Sequence, residues 1–364
     1  MRPRVKSVAW DRDGEQLRVV YDSRDQLQLQ DPDGAVEALL QLLVEGGRTT
    51  SELAAATNAQ EEDIRAAVSV LDDYGLLEDG DRAGQFDADG LERYFSNLGF
   101  FESFASVARG REDFQRTLRE AHVLVLGTGG VSSNTIQHLC GLGVGRLTLL
   151  DRDKVEPRNF ARQYLYRWDD IGHSKVHRAV EWVGGFDPAI KVEGVETEIV
   201  TCRQMEELLG EVAPDVVMSG VDSPDEIDSW INQACVSRGI PYVRAGMRVT
   251  EGRVWSVDPR RSACLACADD LGDPLSPEER AAFDLFGRIP RVNRAIGPVV
   301  GLLGSLSAFE ILRYLTRFEP PAYAGGTLTI DFAAACAIRV AARPRNPACA
   351  VCGDDTPMRG GEAK

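Results

Sequence analysis

Apolar residues recur along the first eighty positions with spacings that predict three short strands followed by three helices. We expect strands at residues 4–10, 16–21 and 26–30, helices at 33–44, 52–57 and 60–74, and a closing strand at 76–77. Asp13 and Gly14 indicate a tight turn between the first two strands, Asp33 is expected to cap the first helix, and Gly75 is expected to end the third. This order is typical of a small winged-helix-like α+β domain, which we place at residues 1–80.

Two longer apolar runs, at 122–127 and 146–151, flank a glycine-rich turn and a helical pattern. The turn holds Gly127, Gly129 and Gly130, which let the backbone approach a phosphate at the positive end of the following helix. The second run ends at Asp151, where a carboxylate can accept hydrogen bonds from ribose hydroxyls. Alone, these features are typical of a dinucleotide site, although Ser132 stands at the sixth position of the glycine pattern.

The polar residues after Asp151 change this interpretation. They are Asp153, Asn159, Arg162, Gln163 and Lys175. A hydride-transferring enzyme has no need of an arginine and a lysine over the phosphates, whereas an enzyme that splits ATP uses such cations to neutralise developing charge. A nicotinamide-dependent oxidoreductase therefore becomes the weaker hypothesis.

Three motifs together resemble the ubiquitin-activating-like (ThiF-type) adenylyltransferase family. They are the Gly-x-Gly-Gly turn at 127–130, the Asp-x-Asp-x-Val-Glu-x-x-Asn-x-x-Arg-Gln stretch at 151–163, and the Gly-x-x-Lys at 172–175. The resemblance covers residues 93–353 and implies a Rossmann-like adenylation domain with a mostly parallel sheet. The family includes the activating enzymes of molybdopterin synthase and of the thiamine sulfur carrier.

The resemblance also implies a role for each matching residue. Arg162 and Lys175 would stabilise the ATP phosphates, and Asp222, at the end of the apolar run 215–222, would hold Mg²⁺. The implied nucleotide-binding residues are Gly127, Gly129, Gly130, Asp151, Asp153, Asn159 and Gln163. The spacing from Asp222 to Trp230 and Asn232 resembles the family branch that adenylylates the microcin peptide.

The chain departs from the family pattern in two places. Relatives that form a thioester carry its cysteine in the stretch that corresponds to residues 268–300, and this stretch contains no cysteine. Relatives also use an arginine from the dimer mate, and Ser96 stands at that position, which leaves Arg93 as the candidate. We therefore expect acyl-adenylate formation without an enzyme thioester.

Two Cys-x-x-Cys pairs indicate a metal site. Cys264, Cys267, Cys349 and Cys352 would complete a tetrahedral set of four thiolates, which leaves no open coordination position. We therefore expect a structural zinc ion; a redox role for the pairs is the alternative.

Charge limits the possible partners. The formal net charge is −16, and residues 1–92 hold 9 Lys and Arg against 21 Asp and Glu, a net −12. This surface would repel DNA and anionic membranes, so we expect no nucleic-acid or membrane partner. No signal peptide is apparent, and a cytoplasmic location is the default expectation.

The first domain resembles the peptide-recognition module of enzymes that modify ribosomally made peptides, in which a leader segment adds a strand to the sheet. A regulatory or dimer-packing appendage is the alternative. We expect a linker at 81–92, a flexible tail at 354–364, a homodimer, and a downstream modifying enzyme as a further partner. The predicted function is ATP- and Mg²⁺-dependent adenylylation of a peptide carboxylate; sulfur-carrier activation and a non-catalytic leader-binding scaffold are the alternatives.

Overall fold

The computed structural model describes residues 1–21, 26–248, 250–259, 261–267 and 293–354, with the isolated positions 278, 281 and 285. The chain forms two compact units, Met1–Thr117 and Leu118–Lys364. The tail predicted at 354–364 lies outside the described residues apart from Asp354, and so does most of the cysteine-free stretch 268–300.

The first unit contains a three-stranded sheet, a two-stranded sheet and helices that pack on them. Its elements are β1 (Pro3–Val5), β2 (Ala9–Asp13), β3 (Gln16–Val20), β4 (Gln26–Gln30), α1 (Ala35–Glu45), α2 (Thr50–Thr57), α3 (Glu61–Asp73), β5 (Leu77–Asp79), α4 (Ala88–Arg93), α5 (Phe95–Glu102) and α6 (Arg111–Glu120), the last of which crosses the division. Strands β2, β3 and β4 are antiparallel in that order. Leu17 and Val19 of β3 are fully buried with Leu40 and Leu43 of α1.

The strand predicted at 4–10 is divided into β1 and β2. Strand β1 pairs with β5, and β2 pairs with β3. The buried ammonium group of Lys6 lies between the two and donates hydrogen bonds to the carbonyl oxygens of Gly75, at 2.7 Å, and Ala105. The chain changes partner there, and one predicted strand becomes two.

The division between the units lies later than the linker predicted at 81–92. Residues 80–82 form a 3-10 turn and α4 begins at Ala88, so much of that stretch is regular structure. The segment beyond it packs on the first unit, where Asp72 accepts a 3.0 Å hydrogen bond from the backbone N–H of Val107. Residues 93–117, expected in the second domain, therefore belong to the first unit.

The second unit is an α/β domain with one large, mostly parallel sheet. Its elements are β6 (His122–Leu126), α7 (Gly130–Leu142), β7 (Arg146–Leu150), α8 (Lys175–Phe186), β8 (Lys191–Val195), α9 (Cys202–Val212), β9 (Val216–Ser219), α10 (Ile227–Arg238), β10 (Tyr242–Arg248), β11 (Glu251–Val257), α11 (Gly297–Thr316), β12 (Gly326–Asp331) and β13 (Ala337–Ala342). The strand order is β13-β12-β11-β10-β9-β6-β7-β8. The five strands from β10 to β8 are parallel, and β11 to β13 are antiparallel additions. The Rossmann-like prediction is confirmed.

Helix α11 is long and apolar enough, by length and composition alone, to cross a membrane. However, 61% of its most apolar window is buried inside the protein. It packs closely on α7, because a Cβ atom at Gly304 would lie 2.7 Å from the Cβ of Asn134 and 2.8 Å from the carbonyl oxygen of Val131. The helix therefore serves as a core element behind the first turn of α7.

Candidate active site

A cavity of about 770 Å³ opens where the parallel strands of the second unit end. Strand β6 is the point at which the strand order reverses, with β7 on one side and β9 on the other, and α/β sheets bind ligands at such points. Nine of the ten predicted nucleotide-site residues line this cavity: Gly127, Gly129, Gly130, Asp151, Asp153, Arg162, Gln163, Lys175 and Asp222. The sequence motifs thus meet at one edge of the sheet.

The glycine turn after β6 is held by the acid after β7. Asp151 is buried, and its Oδ2 accepts hydrogen bonds from the backbone N–H of Thr128 at 2.7 Å and from the Thr128 hydroxyl at 2.8 Å. Its Oδ1 accepts from the N–H of Asp153 at 2.8 Å. Gly127 has φ +82°, which disfavours other residues, and leads directly to the N-terminus of α7. Asp151 therefore shapes the turn as well as lining the cavity.

Lys175 is the first residue of α8, and its ammonium group is buried at the cavity wall. Its Nζ lies 2.8 Å from Oδ2 of Asp153. The backbone N–H of Lys175 also donates to the Asp153 carbonyl at 2.9 Å. Because Asp153 is itself more than half exposed, the pair offers a fixed cation next to a carboxylate that faces open space.

Arg162 and Gln163 face the first turn of α7. The Arg162 stem packs there, since a Cβ at Gly130 would lie 3.3 Å from its Cδ. Burial and the neighbouring Arg158 lower the pKa of Arg162, whereas Asp222, which lines the same cavity, acts in the opposite direction. Gln163 is buried, and its Oε1 has no hydrogen-bond partner in the described part of the chain. An unpaired buried amide oxygen at a cavity wall fits a site built for a polar ligand.

Asn159 does not line the cavity. Its Oδ1 accepts a 2.9 Å hydrogen bond from the N–H of Glu156 and so caps the 3-10 turn at Pro157–Asn159. Its carbonyl oxygen accepts from the N–H groups of Arg162, at 3.0 Å, and Gln163, at 2.9 Å. The structure thus shows Asn159 fixing the loop that carries the two neighbouring site residues, and direct contact of Asn159 with a phosphate stays a prediction.

Several charged cavity residues were missed by the sequence analysis. Arg152 forms an ion pair with Glu198, and Arg294 lies at another part of the wall. Arg244, in β10, is buried and lines the cavity, with Nε 2.7 Å from Oδ1 of Asp228. The one available signal was the position of Arg244 inside an otherwise apolar strand pattern.

The four predicted zinc ligands form one buried cluster. Their sulfur atoms all lie within 4.8 Å of one another, and all four cysteines are free of disulfides. The Sγ–Sγ distances are 3.8 Å for Cys264 and Cys349, 4.0 Å for Cys264 and Cys267, and 3.3 Å for Cys267 and Cys352. A tetrahedral Zn²⁺ with Zn–S bonds of ~2.3 Å needs sulfur separations of roughly 3.8 Å. The donor set and its spacing therefore fit a zinc ion.

Polar contacts support the loops that carry these cysteines. Oδ1 of Asn232 accepts hydrogen bonds from the N–H of Leu265 and from the Tyr242 hydroxyl, both at 3.0 Å. Arg345 donates to the Cys352 carbonyl at 2.7 Å. Asn232, noted in the sequence for its spacing from Asp222, thus positions the turn of the first cysteine pair.

Known proteins match the second unit and the end of the first in sequence. The ThiF family profile matches residues 103–351. The molybdopterin-synthase adenylyltransferase of Salmonella typhimurium is 29% identical over 242 residues, which cover 66% of this chain and 90% of that protein. The adenylyltransferase and sulfurtransferase UBA4 of Yarrowia lipolytica is 29% identical over 243 residues, which cover 66% of this chain but only 57% of that protein. The chain thus spans little more than half the length of UBA4.

Solved structures match nearly the whole chain in fold. The crystal structure of E. coli MccB with ATP has a TM-score of 0.75 at 20% sequence identity and covers 97% of this chain and 100% of that one. The microcin C7 biosynthetic enzyme MccB in complex with N-formylated MccA has a TM-score of 0.73 with the same identity and coverage. At this identity, the likeness establishes a shared fold.

Proposed function

The chain belongs to the ThiF family of ATP-dependent adenylyltransferases, and from this premise we propose that it adenylylates the C-terminal carboxylate of a ribosomally made peptide. The observation that carries the peptide proposal is the extent of the likeness to MccB, which spans 97% of this chain rather than the second unit alone. MccB is described in complex with N-formylated MccA. The first unit accordingly has a place in this proposal as the part that recognises the peptide.

In the proposed reaction, a carboxylate oxygen of the peptide attacks the α-phosphorus of ATP. The bond from that phosphorus to the oxygen bridging to the β-phosphate breaks, pyrophosphate leaves, and an acyl-adenylate remains. Lys175 and Arg162, which both line the cavity, would stabilise charge on the phosphates. Asp222, an exposed carboxylate at the cavity, would hold Mg²⁺, which neutralises phosphate charge when bound. The reaction would proceed without an enzyme thioester, because the stretch 268–300, where relatives that form one carry its cysteine, has no cysteine in its sequence.

The first unit would hold a leader segment at its three-stranded sheet. Within the described residues, β4 pairs only with β3 and therefore has a second edge for an added strand. Leu27 and Leu29 of β4 are half-buried, whereas Gln26, Gln28 and Gln30, which alternate with them, are exposed. Backbone pairing at this edge would supply affinity, and holding the leader would raise the local concentration of the carboxylate.

The proposal has four further parts: zinc at the cysteine cluster, a homodimer, a cytoplasmic location and a downstream modifying enzyme. The zinc ion would be structural, because four buried thiolates leave it no open position. Exposed Leu302 and Phe309, seven residues apart on α11, offer an apolar surface for a second copy. Activation of a sulfur-carrier protein is the second candidate, favoured by the 29% identity with molybdopterin-synthase adenylyltransferase.

The test is ATP–pyrophosphate exchange with candidate substrates. We expect exchange with a precursor peptide that has a free C-terminal carboxylate and none with the same peptide as a C-terminal amide. Lys175→Ala should lower the exchange rate by about 10²–10³-fold, because it removes a buried cation from the phosphate site. Exchange with a sulfur-carrier protein, but with none of the peptides, would assign the second candidate function.

Lys154→Ala is the matched control for this substitution. Lys154 follows Asp153, the ion-pair partner of Lys175, but the Lys154 side chain is exposed and does not line the cavity. Its exchange rate should stay within about twofold of the unmodified enzyme. The absence of exchange with any peptide or carrier protein, together with no effect of Lys175→Ala on ATP binding, would leave the non-catalytic scaffold as the remaining hypothesis.

A further inference from the structure

Arg244 occupies a defined place in a row of residues that crosses the parallel sheet. The register pairs Arg244 of β10 with Ser219 of β9, Ser219 with Leu126 of β6, and Leu126 with Leu150 of β7. The glycine turn follows Leu126 directly, and Asp151 follows Leu150. Arg244 therefore lies two strand spacings, roughly 10 Å, from the turn that would receive phosphate, on the side away from the ribose acid.

The guanidinium of Arg244 is anchored by two of its three nitrogens. Nε donates to Oδ1 of Asp228 at 2.7 Å, and Nη1 donates to the Ala245 carbonyl at 2.7 Å. Nη2 makes no hydrogen bond to any residue that the structure describes, although the side chain is only 9% exposed and lines the cavity. The result is a buried cation held in a fixed orientation at the cavity wall, with donor capacity left at Nη2.

Charged side chains of both signs line the cavity. Asp151, Asp153, Glu198 and Asp222 all line it, and a bound triphosphate would add further negative charge. A substrate carboxylate must enter as an anion in order to attack phosphorus. Lys175 is already paired with Asp153, and Arg162 lies beside the first turn of α7. Of the other cations at the wall, Arg152 is paired with Glu198 and Arg294 is exposed. Arg244 is buried and anchored, and it lies beyond the glycine turn on the side away from Asp151.

We propose that Arg244, oriented by Asp228, binds the carboxylate of the acyl substrate and so selects substrates that end in a free acid. This inference rests on the proposed adenylylation at the same cavity. Arginine suits this role because its planar guanidinium can donate to a carboxylate from one nitrogen while the others stay anchored. Removal of Arg244 should weaken binding of the acid far more than binding of ATP.

The direct test uses two small probes of similar size, N-acetylglycine, which ends in a carboxylate, and N-acetylglycinamide, which ends in an uncharged amide. Saturation-transfer NMR is recorded on the full chain with Mg²⁺ and a non-hydrolysable ATP analogue. The unmodified protein should bind the acid and discriminate against the amide, and Arg244→Gln should lose about tenfold in affinity for the acid. Arg244→Lys keeps the charge without the anchored geometry and should retain an intermediate preference for the acid.

Arg253→Gln is the matched control, since Arg253 forms a strand ion pair with Glu251 on neighbouring β11 and does not line the cavity. It should preserve the preference for the acid. Binding of the ATP analogue, measured by calorimetry, should stay within about threefold in Arg244→Gln and thereby report an intact nucleotide site. An equal response to acid and amide in the unmodified protein, or an undiminished acid preference in Arg244→Gln, would overturn the inference.

The exchange assay separates this inference from the proposed function. Under the inference, Arg244→Gln should raise the KM for an exchanging peptide by about tenfold while the KM for ATP stays nearly constant. Exchange with an unchanged peptide KM in Arg244→Gln would remove the inference and leave the function. Arg244-dependent binding of the acid without exchange in any assay would remove the function and leave the carboxylate site.

Discussion

Single buried polar side chains determine where elements begin. The sequence favoured Asp33 as the cap of α1, because it lies nearest to the start of the helical pattern. In the structure, Asp31 caps more of the helix N-terminus than Asp33 does, since its Oδ1 accepts from the N–H of Val36 at 2.9 Å and its Oδ2 from the N–H of Glu37 at 3.2 Å. Gly34, at φ +76°, turns the chain so that a residue three positions earlier reaches the helix N-terminus. Local pattern could not show this turn.

Asp31→Asn should destabilise the first unit in a pH-dependent way. Burial raises the pKa of Asp31, but the two backbone N–H groups and Arg12 outweigh it, and the net pKa is lowered. A lowered pKa in the folded state contributes stability above the unfolded pKa, and this contribution is lost as pH falls through the folded value. We expect Asp31→Asn to lower the free energy of unfolding by ~1–3 kcal/mol near pH 7. Urea denaturation at a series of pH values should show the difference between the two proteins shrinking below about pH 4.

Asp33→Asn is the control for this experiment. Asp33 is exposed and accepts one hydrogen bond, from the N–H of Ala35 at 3.2 Å. Its effect should stay within about 0.5 kcal/mol at every pH. A constant difference between Asp31→Asn and the unmodified protein down to the lowest pH would contradict a role for the ionised carboxylate.

At the scale of elements, the apolar runs of the sequence predicted the strands around the site. The runs at 122–127 and 146–151 became β6 and β7, and the helical pattern between them became α7. The site motifs could also be predicted, because the ends of parallel strands meet at one edge of a sheet. Arg244 could not, since its importance depends on Asp228, sixteen residues away in sequence, and on the register with β9.

The cysteine cluster connects two distant elements of the second unit. Cys264 and Cys267 follow β11, and Cys349 and Cys352 follow β13. We expect one zinc ion per chain by elemental analysis. Cys349→Ser should remove most of it and lower the unfolding temperature of the second unit by at least about 10 °C, because metal binding contributes directly to folding free energy.

Cys336→Ser is the matched control for the zinc prediction, because Cys336 is exposed and lies outside the cluster. It should change neither the metal content nor the unfolding temperature. A full metal content in Cys349→Ser would rule out a structural zinc site. So would an unmodified protein that keeps the same unfolding temperature after its metal has been removed.

At the scale of the whole molecule, each unit has a hydrophobic core of its own. The first is built around fully buried residues such as Leu17, Leu40 and Leu53, and the second contains a cluster that includes Leu126 and Leu209. Of the formal charge of −16, residues 1–92 carry −12. The surface of the first unit is therefore suited to a peptide or a protein rather than to a polyanion.

Two separate cores predict two unfolding transitions. Substitutions in each core, and binding of ATP, should shift these transitions independently. Leu40→Ala should lower the stability of the first unit, and Leu209→Ala that of the second, each by ~2–5 kcal/mol because a buried side chain leaves a cavity. In calorimetry, Mg²⁺ and ATP should raise the temperature of only one transition, the one whose temperature Leu209→Ala lowers. The reason is that the nucleotide would bind the folded second unit alone. Leu40→Ala should leave this ligand shift unchanged while moving the other transition. A single transition displaced equally by both substitutions would instead mean that the chain unfolds as one cooperative body.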